Sequence, residues 1–379
     1  MAPPTIESYF KIIEARRDIG GRFTDLRRAG IGHFSLVVAA RDIISNRNVA
    51  IKIFLPEHMR DPYRFQCFCR EALLLERLRG SRNILDWIAP RGEFIEQVVS
   101  ATGITLDIGF PYFAVELASS DIGEAVRAAS WSAEQKLVGF REMCKGVQRI
   151  HHEGISHRDI KPSNFLAMES GLVKLSDFGA ARDIKGSAPP LLNDYSLTPG
   201  DTRYASPEML ALLHDADPSI AFAGDIFSLG ASLFELWSGT ILGLQVFDIG
   251  FASALTQSMN AVNKQDRIRN YLGFVQNIAG GHPLPPINAY GNHVPSSISK
   301  LVEGLYQAMA ALDYRQRLCD FERIFLRIDQ CLLVLRNEEK VLKWREQREV
   351  FRNNRKEKCA HAQRRSGLLG SPMRLGANR

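Results

Sequence analysis

Eight residues, His157 to Asn164, constrain this 379-residue chain more than any other stretch. They read His-Arg-Asp-Ile-Lys-Pro-Ser-Asn, which puts the carboxylate of Asp159, the ammonium of Lys161 and the amide of Asn164 into one short loop. A proton acceptor, a phosphate-neutralising cation and a metal-binding oxygen are what phosphoryl transfer needs, because positioning and charge carry that chemistry once nucleophile, phosphate and metal are aligned. A second carboxylate, Asp177, follows the strand-like run Leu172-Val173-Lys174-Leu175 and precedes Phe178-Gly179. A glycine there permits a backbone turn just past the carboxylate.

Upstream, Leu36-Val37-Val38-Ala39, the polar Ser45-Asn46-Arg47-Asn48 and Val49-Ala50-Ile51-Lys52-Ile53-Phe54 predict two antiparallel strands joined by a turn. The first follows Gly30-Ile31-Gly32-His33-Phe34-Ser35, where Gly30 and Gly32 let backbone N–H groups approach phosphate oxygens without a Cβ in the way. Lys52 has apolar neighbours, and an uncompensated ammonium among them is costly, so it requires a counter-ion or an anionic ligand. A helix predicted over 65–78, with Phe65, Phe68, Leu74, Leu75 and Leu78 on its apolar stripe, offers Glu71 and Glu76. Further strand-like pieces lie between Asn83 and Glu116, interrupted by a polar, glycine-containing interval from Ser100 to Gly109. After Ser130 the pattern turns helical. Ser132 and Gln135 form a capping-box pair, and Leu137, Phe140, Met143, Val147 and Ile150 recur at core-facing spacing before the loop.

Taken together, Ala50-x-Lys52, Asp159-x-Lys161-x-x-Asn164 and Asp177-Phe178-Gly179 resemble the eukaryotic-type (Hanks-type) protein kinase family, Ser/Thr-directed. The resemblance implies an α+β, two-lobed protein-kinase-like fold with a small β-rich N-lobe and a larger, mainly helical C-lobe. It implies transfer of the ATP γ-phosphate to Ser or Thr hydroxyls of protein substrates, with autophosphorylation in the activation loop. Among the two glutamates it selects Glu71 as the partner of Lys52. It gives Asp159 and Lys161 the roles of orienting the nucleophile and steadying the transferred phosphate, and Asn164 and Asp177 the role of Mg²⁺ ligands. For ATP it implies Gly30, Gly32, Val37, Ala50, Lys52 and Leu166 around the nucleotide, Val115 as gatekeeper, the backbone of Glu116 to Ala118 at adenine, and Asp121 near the ribose. Asp225 is expected to anchor the catalytic loop, and Arg317 to pair with Glu208 of Ser206-Pro207-Glu208. A buried carboxylate and guanidinium are each expensive alone, which gives that pairing a physical reason as well.

The chain departs from the family at two points. Ser35 stands where a third glycine is usual, and Asp201 in Gly200-Asp201-Thr202-Arg203-Tyr204 stands where a threonine usually contacts the catalytic aspartate and lysine. Between Ala180 and Tyr204, Ser187, Tyr195, Ser196, Thr198 and Thr202 are candidate phosphorylation positions, with Arg158 as the guanidinium that receives the phosphate.

Six cysteines, at 67, 69, 144, 319, 331 and 359, form no paired C-x-x-C set, so neither a zinc site nor a disulfide framework is expected. The first residues lack a basic patch followed by an apolar core, and the apolar region from Ile220 to Leu255 is broken by Asp225, Glu235 and Asp248. No signal peptide or transmembrane segment is expected, and the chain reads as cytoplasmic. The net charge of +6 belongs to the end of the chain, since residues 341–379 hold eleven Lys or Arg against three Glu. That segment reads first as a solvated, solubilising tail; an acidic partner, nucleic acid or an anionic membrane surface is the alternative, and the segment carries no groove-reading motif. The expected organisation is an N-terminal lead-in over 1–21, a kinase domain over 22–336 with its N-lobe at about 22–116 and its C-lobe at about 117–336, and a basic helix and tail over 337–379. Residues 240–300 lack a sharp motif, and Phe321, Ile324, Phe325, Ile328, Leu332 and Leu335 predict a helix on the lower lobe. An inactive pseudokinase-like ATP-binding scaffold and a small-molecule kinase are the alternatives. The first is disfavoured by the intact residue set and the second by Asp-Phe-Gly together with Pro-Glu.

Overall fold

The computed structural model describes residues 5–32, 34–99, 105–128, 131–186, 198–213, 218–258, 263–278, 284–290, 294–344, 346–348, 350, 352 and 355. His33, Ser187, Tyr195, Ser196, Gly280 to Pro283 and the tail from Lys356 lie outside them.

The N-terminal part is a sheet of β1 (Phe23–Ile31), β2 (Ser35–Asp42), β3 (Arg47–Phe54), β4 (Trp87–Val99) and β5 (Thr105–Glu116), in the order β1-β2-β3-β5-β4. Every neighbouring pair is antiparallel. The β2–β3 turn falls at the polar stretch singled out in the sequence, with Asn46 in the left-handed region at φ 54°. Alternation along β3 decides what faces what, since successive strand side chains point to opposite faces. Val49, Ile51 and Ile53 enter one core with Tyr9, Phe10 and Ile13 of helix α1 (Ile6–Glu14). Ala50 and Phe54 enter the other, with Phe68 and Leu75 of helix α2 (Pro62–Arg77). Lys52, between them, therefore shares the face covered by α2.

Helix α1 falls in the segment 1–21, where the sequence shows no clear pattern. Thr5 caps it, and its three aromatic and aliphatic core residues are at most 3% exposed. The polar interval from Ser100 is likewise shorter than expected, because β5 already begins at Thr105 and pairs with β4 out to Val99. Residues 100–104 lie outside the described set.

The second part is mainly helical. After the short β6 (Ser120–Asp121) and α3 (Ile122–Arg127) comes α4 (Ala133–His152), which begins with the reciprocal Ser132–Gln135 capping box and buries the predicted stripe completely. Four short strands follow: β7 (Ile155–Ser156), β8 (Phe165–Ala167), β9 (Val173–Leu175) and β10 (Arg182–Asp183). The order β6-β8-β9 places the loop between β7 and β8 beside the turn after β9. Next come α5 (Pro207–Leu210), α6 (Pro218–Ser238), α7 (Leu242–Val246), α8 (Ile249–Ser258), α9 (Lys264–Ile278), α10 (Ser299–Met309) and α11 (Phe321–Arg336).

The stretch from 219 to 238 is apolar and long enough to cross a membrane, yet 89% of its apolar window is buried inside the protein. It is the central core helix, packed by α4 and α10, as its interruption by charged residues implied. Residues 240–300 supply α7, α8 and α9, whose Val246, Phe251, Leu255 and Tyr271 join the same core. The predicted α11 forms, with Ile324, Ile328 and Leu332 buried.

Candidate active site

Lys52 on β3 and Glu71 on α2 meet at 2.5 Å, and the ammonium also reaches Asp177 Oδ1 at 3.2 Å. Glu76 is exposed on the outer side of α2 and takes no part. Burial opposes the Lys52 charge, but the carboxylates of Asp177 and Glu71 outweigh it and raise its pKa above the ordinary value. Burial pushes Glu71 up to about 7, against the pull of Lys52 and with the negative charge of Asp177 adding to the rise. Both pKa values rise, which favours the charge on Lys52 and opposes that on Glu71. Lys52 is the fixed charge and Glu71 the titrating member, because one ammonium shared between two carboxylates cannot neutralise both.

Asp177 sits in the left-handed region at φ 60°, an uncommon conformation for a non-glycine residue, which turns its carboxylate out of the strand direction. Phe178 behind it is fully buried against the ring of His157, centroids 5.0 Å apart. His157 Nε2–H donates to the Ser176 carbonyl at 3.0 Å, which fixes the ring. Burial raises the Asp177 carboxyl, and the charges of Lys52 and Lys161 more than reverse that, leaving it below its usual value.

The loop itself hangs from Asp225 on α6. That carboxylate is fully buried and accepts from the N–H groups of His157 and Arg158, each at 2.8 Å, while His151 Nε2 lies 2.9 Å away. Arg158 is held at φ 62°, and its Nε donates to the Ala180 carbonyl at 2.8 Å. Within the loop, Lys161 Nζ lies 3.0 Å from Asp159 Oδ2. Asn164 Nδ2 donates to the Asp159 carbonyl at 2.7 Å and to its Oδ2 at 3.0 Å. The amide nitrogen is thereby spent on Asp159, which turns the amide oxygen away as an acceptor.

The expected nucleotide residues come from both parts, Gly30, Gly32, Val37, Ala50, Val115 and Glu116 from the sheet and its loop, and Asp121 and Leu166 from β6 and β8. Gly32 N–H donates to the Ser35 carbonyl at 2.8 Å, and a Cβ on Gly32 would meet Ser35 Oγ at 2.7 Å. Serine in place of the third glycine therefore fills the loop from inside, and a side chain at 32 would require the Ser35 hydroxyl to rotate away. Gly30 and Val37 are cross-strand partners, Val37 also pairs with Lys52, and Ala50 pairs with Val115. Glu116 N–H is occupied by the Asp86 carbonyl at 3.0 Å, and its carboxylate is 2.5 Å from Lys174 Nζ, so of its polar groups the carbonyl is the one to offer a base. Asp121 caps α3 through Glu124 N–H at 2.8 Å, pairs with Leu166 across β6 and β8, and stands three residues beyond Ala118.

At the far side, Asp201 N–H donates to Asp159 Oδ1 at 2.7 Å. A carboxylate cannot donate as a threonine hydroxyl does, and the main chain takes over that contact. Gly200 makes the approach possible: at φ 71°, a Cβ there would lie 2.6 Å from the Arg158 carbonyl. The Asp201 carboxylate is gripped by Arg203 through Nε at 2.9 Å and Nη2 at 2.7 Å. Sequence reasoning noted the aspartate but missed Arg203, whose only signal was a cation two residues further on. It also missed His151 as a partner of Asp225. Arg317 and Glu208 pair as expected, with both side chains at most 1% exposed.

Residues 23–324 match the family model described as the protein kinase domain. Mitogen-activated protein kinase HOG1 of Colletotrichum orbiculare is 27% identical over 312 residues, covering 81% of this chain and 78% of the relative. The kinase of the same name from Trichoderma harzianum is 27% identical over 305 residues, covering 79% and 77%. That of Ustilaginoidea virens is 29% identical over 226 residues, covering 59% and 56%.

Proposed function

Since this chain belongs to the protein kinase family, we propose that its buried Lys52–Glu71–Asp177 cluster and the loop from His157 to Asn164 are the active site of an ATP-dependent Ser/Thr protein kinase. The observation that carries the reading is the convergence of Lys52 from strand β3 and Glu71 from helix α2 with Asp177 from the helical part, 125 residues beyond Lys52 in the sequence, beside Asp159 and Asn164. In this assignment Lys52 positions the ATP phosphates and Glu71 holds Lys52 in place. Asp159 accepts and orients the substrate hydroxyl proton, and Lys161 neutralises the transferred phosphoryl group. Val37, Ala50, Val115 and Leu166 enclose adenine, the hinge backbone from Glu116 to Ala118 reads it, and Gly30 and Gly32 cover the phosphates.

Protein kinases use Mg²⁺ in general, and the donor set here fits that ion: one carboxylate (Asp177) and one amide oxygen (Asn164), with no cluster of three His, Cys, Asp or Glu ligands among the described residues. Two protein ligands suit a cation that keeps phosphate oxygens and water in its shell. When bound it supplies charge neutralisation at the phosphates. The proposed domain spans 22–336, with α1 as an added brace on its N-lobe and the basic segment from 337 outside it. Arg158, tied to Ala180, is the proposed receiver of an activation-loop phosphate. The chain is proposed to act in the cytoplasm on protein substrates, and the basic segment, including Arg348, Arg352 and Arg355, to meet an acidic partner.

Incubating the protein with Mg²⁺-ATP and a mixed library of peptides and small metabolites tests this reading. Phosphate is expected on Ser or Thr of peptides. Transfer confined to metabolites, or absent altogether, overturns it.

The Glu71 shift adds a pH dependence. Protonating Glu71 as pH falls through about 7 leaves Lys52 to Asp177 alone and removes the brace that keeps the ammonium available to phosphate. The acid form is the impaired one, so kcat/KM for ATP rises as pH increases between about 6 and 8, a profile that reports groups of the free enzyme. Glu71→Gln flattens that limb and lowers it. An unchanged rising limb in the variant means another group titrates there.

A further inference from the structure

We propose that Arg203 is a positioning residue that keeps the Asp201 carboxylate from capturing Lys161. The inference rests on the assignment of Lys161 as the cation for the transferred phosphoryl group. Two carboxylates crowd that lysine. Asp159 Oδ2 is 3.0 Å from its Nζ, Asp201 Oδ2 is 3.9 Å away, and the Lys161 side chain is only 8% exposed. Two carboxylates flanking one ammonium make a poor site for an arriving phosphate unless one of them is neutralised from elsewhere.

Arg203 does that. Its guanidinium grips Asp201 with Nε on Oδ1 and Nη2 on Oδ2, the two-pronged geometry in which arginine outdoes lysine. The Arg203 N–H also donates to Asp201 Oδ1 at 3.1 Å, so that oxygen is held by the main chain whatever the side chain does. Oδ2 is different, because its close partners are Arg203 Nη2 at 2.7 Å and Lys161 Nζ at 3.9 Å. Removing the guanidinium leaves the lysine as the cation nearest to it. At such a separation the attraction between the two charges favours turning the carboxylate about its last torsion toward the lysine. Lys161 then faces two uncompensated carboxylates and is withdrawn from phosphate.

The arrangement also explains how the chain tolerates aspartate at 201. The backbone N–H of Asp201 keeps the contact to Asp159, and Arg203 neutralises the charge that the substitution introduces. The Arg203 side chain is 53% exposed, against 8% for Lys161, so it stands nearer to solvent than the lysine it protects.

The test is a double-mutant cycle on the full chain, reading kcat and KM for a peptide that the wild-type protein phosphorylates, with Lys161→Ala as reference. Arg203→Ala is expected to lower kcat about tenfold or more while KM for ATP and peptide moves less than about threefold, as for loss of one charge that acts on the transition state. In the Asp201→Asn background, where no carboxylate remains to capture the lysine, Arg203→Ala is expected to change kcat by less than about threefold. A structural role for Arg203 predicts the same loss in both backgrounds, and a substrate-reading role predicts a raised peptide KM in both. Either result overturns the proposal. If Arg203→Ala fails to fold, Arg203→Gln takes its place, with the same changes in kcat and KM expected and the same results overturning the proposal. Loss of activity in Lys161→Ala together with an unaffected Arg203→Ala rejects this inference while leaving the active-site assignment standing. Full activity in Lys161→Ala rejects the assignment itself.

Discussion

Asp177→Ala is expected to lower kcat for Mg²⁺-ATP-dependent phosphate transfer by roughly 10³-fold or more, the scale of removing a preorganised charge from a phosphoryl-transfer site. Two losses combine in that variant. The carboxylate assigned to the metal disappears, and Lys52 loses the partner at 3.2 Å that ties it to the helical part of the protein. Glu71 alone then holds the ammonium, still at 2.5 Å, so the lysine stays buried and paired but is no longer aligned with the loop that carries Asp159. The fold should survive. Phe178 keeps its packing on His157, and aspartate is only modestly better suited than alanine to φ 60°, so the main structural effect is modest strain at alanine. Steady-state kinetics beside a thermal melt separate the two, with kcat collapsing and the melting temperature moving little. A melt that falls as far as the activity would make Asp177 a structural residue.

The second large effect falls on stability. Arg317 is buried with Glu208, and its guanidinium makes a full set of contacts. Nη1 and Nη2 grip the two Glu208 oxygens, Nη1 also reaches the Ala223 carbonyl at 3.0 Å, Nε the Ala311 carbonyl at 2.7 Å and Nη2 the Leu312 carbonyl at 3.3 Å. Phe227 lies 5.0 Å below it, and Tyr271 O–H donates to Glu208 at 3.2 Å from the other side. This one side chain ties α5, α6 and the segment before α11 together. Arg317→Ala strands a buried carboxylate and several carbonyls, and breaking such a pair costs about 3–5 kcal/mol. Denaturant unfolding should show that loss. Replacing both partners, with Arg317→Met and Glu208→Leu, should recover most of it, since no uncompensated charge is then buried. A single variant within about 1 kcal/mol of wild type would mean that the pair is solvated in solution, as surface pairs are.

Much of this was legible in the sequence because the chemistry is written in short spacings. Asp159, Lys161 and Asn164 lie on one loop, so their meeting is nearly guaranteed by chain length. Lys52 announced a partner by its apolar neighbours, and the choice of Glu71 over Glu76 needed only the resemblance; α2 buries the first and exposes the second. What escaped was set by tertiary contacts. Helix α1 is nine residues long, too short to be stable alone, and it owes its order to the outer face of the sheet that Tyr9, Phe10 and Ile13 cover. His151 sits in the last turn of α4, where nothing in the sequence links it to a carboxylate 74 residues away. Arg203 was hidden for another reason: a grip between residues two apart depends on the local backbone, which in turn depends on Gly200 and on the loop it touches.

Mapping of phosphorylated residues by mass spectrometry, after incubation of wild type and Asp177→Ala with ATP in the presence and absence of Mg²⁺, tests the central claim most directly. Phosphate is expected on Ser or Thr side chains of the wild-type protein only when Mg²⁺ is present, and on none in the variant. Equal labelling of the two proteins, or labelling that ignores Mg²⁺, would contradict the kinase assignment.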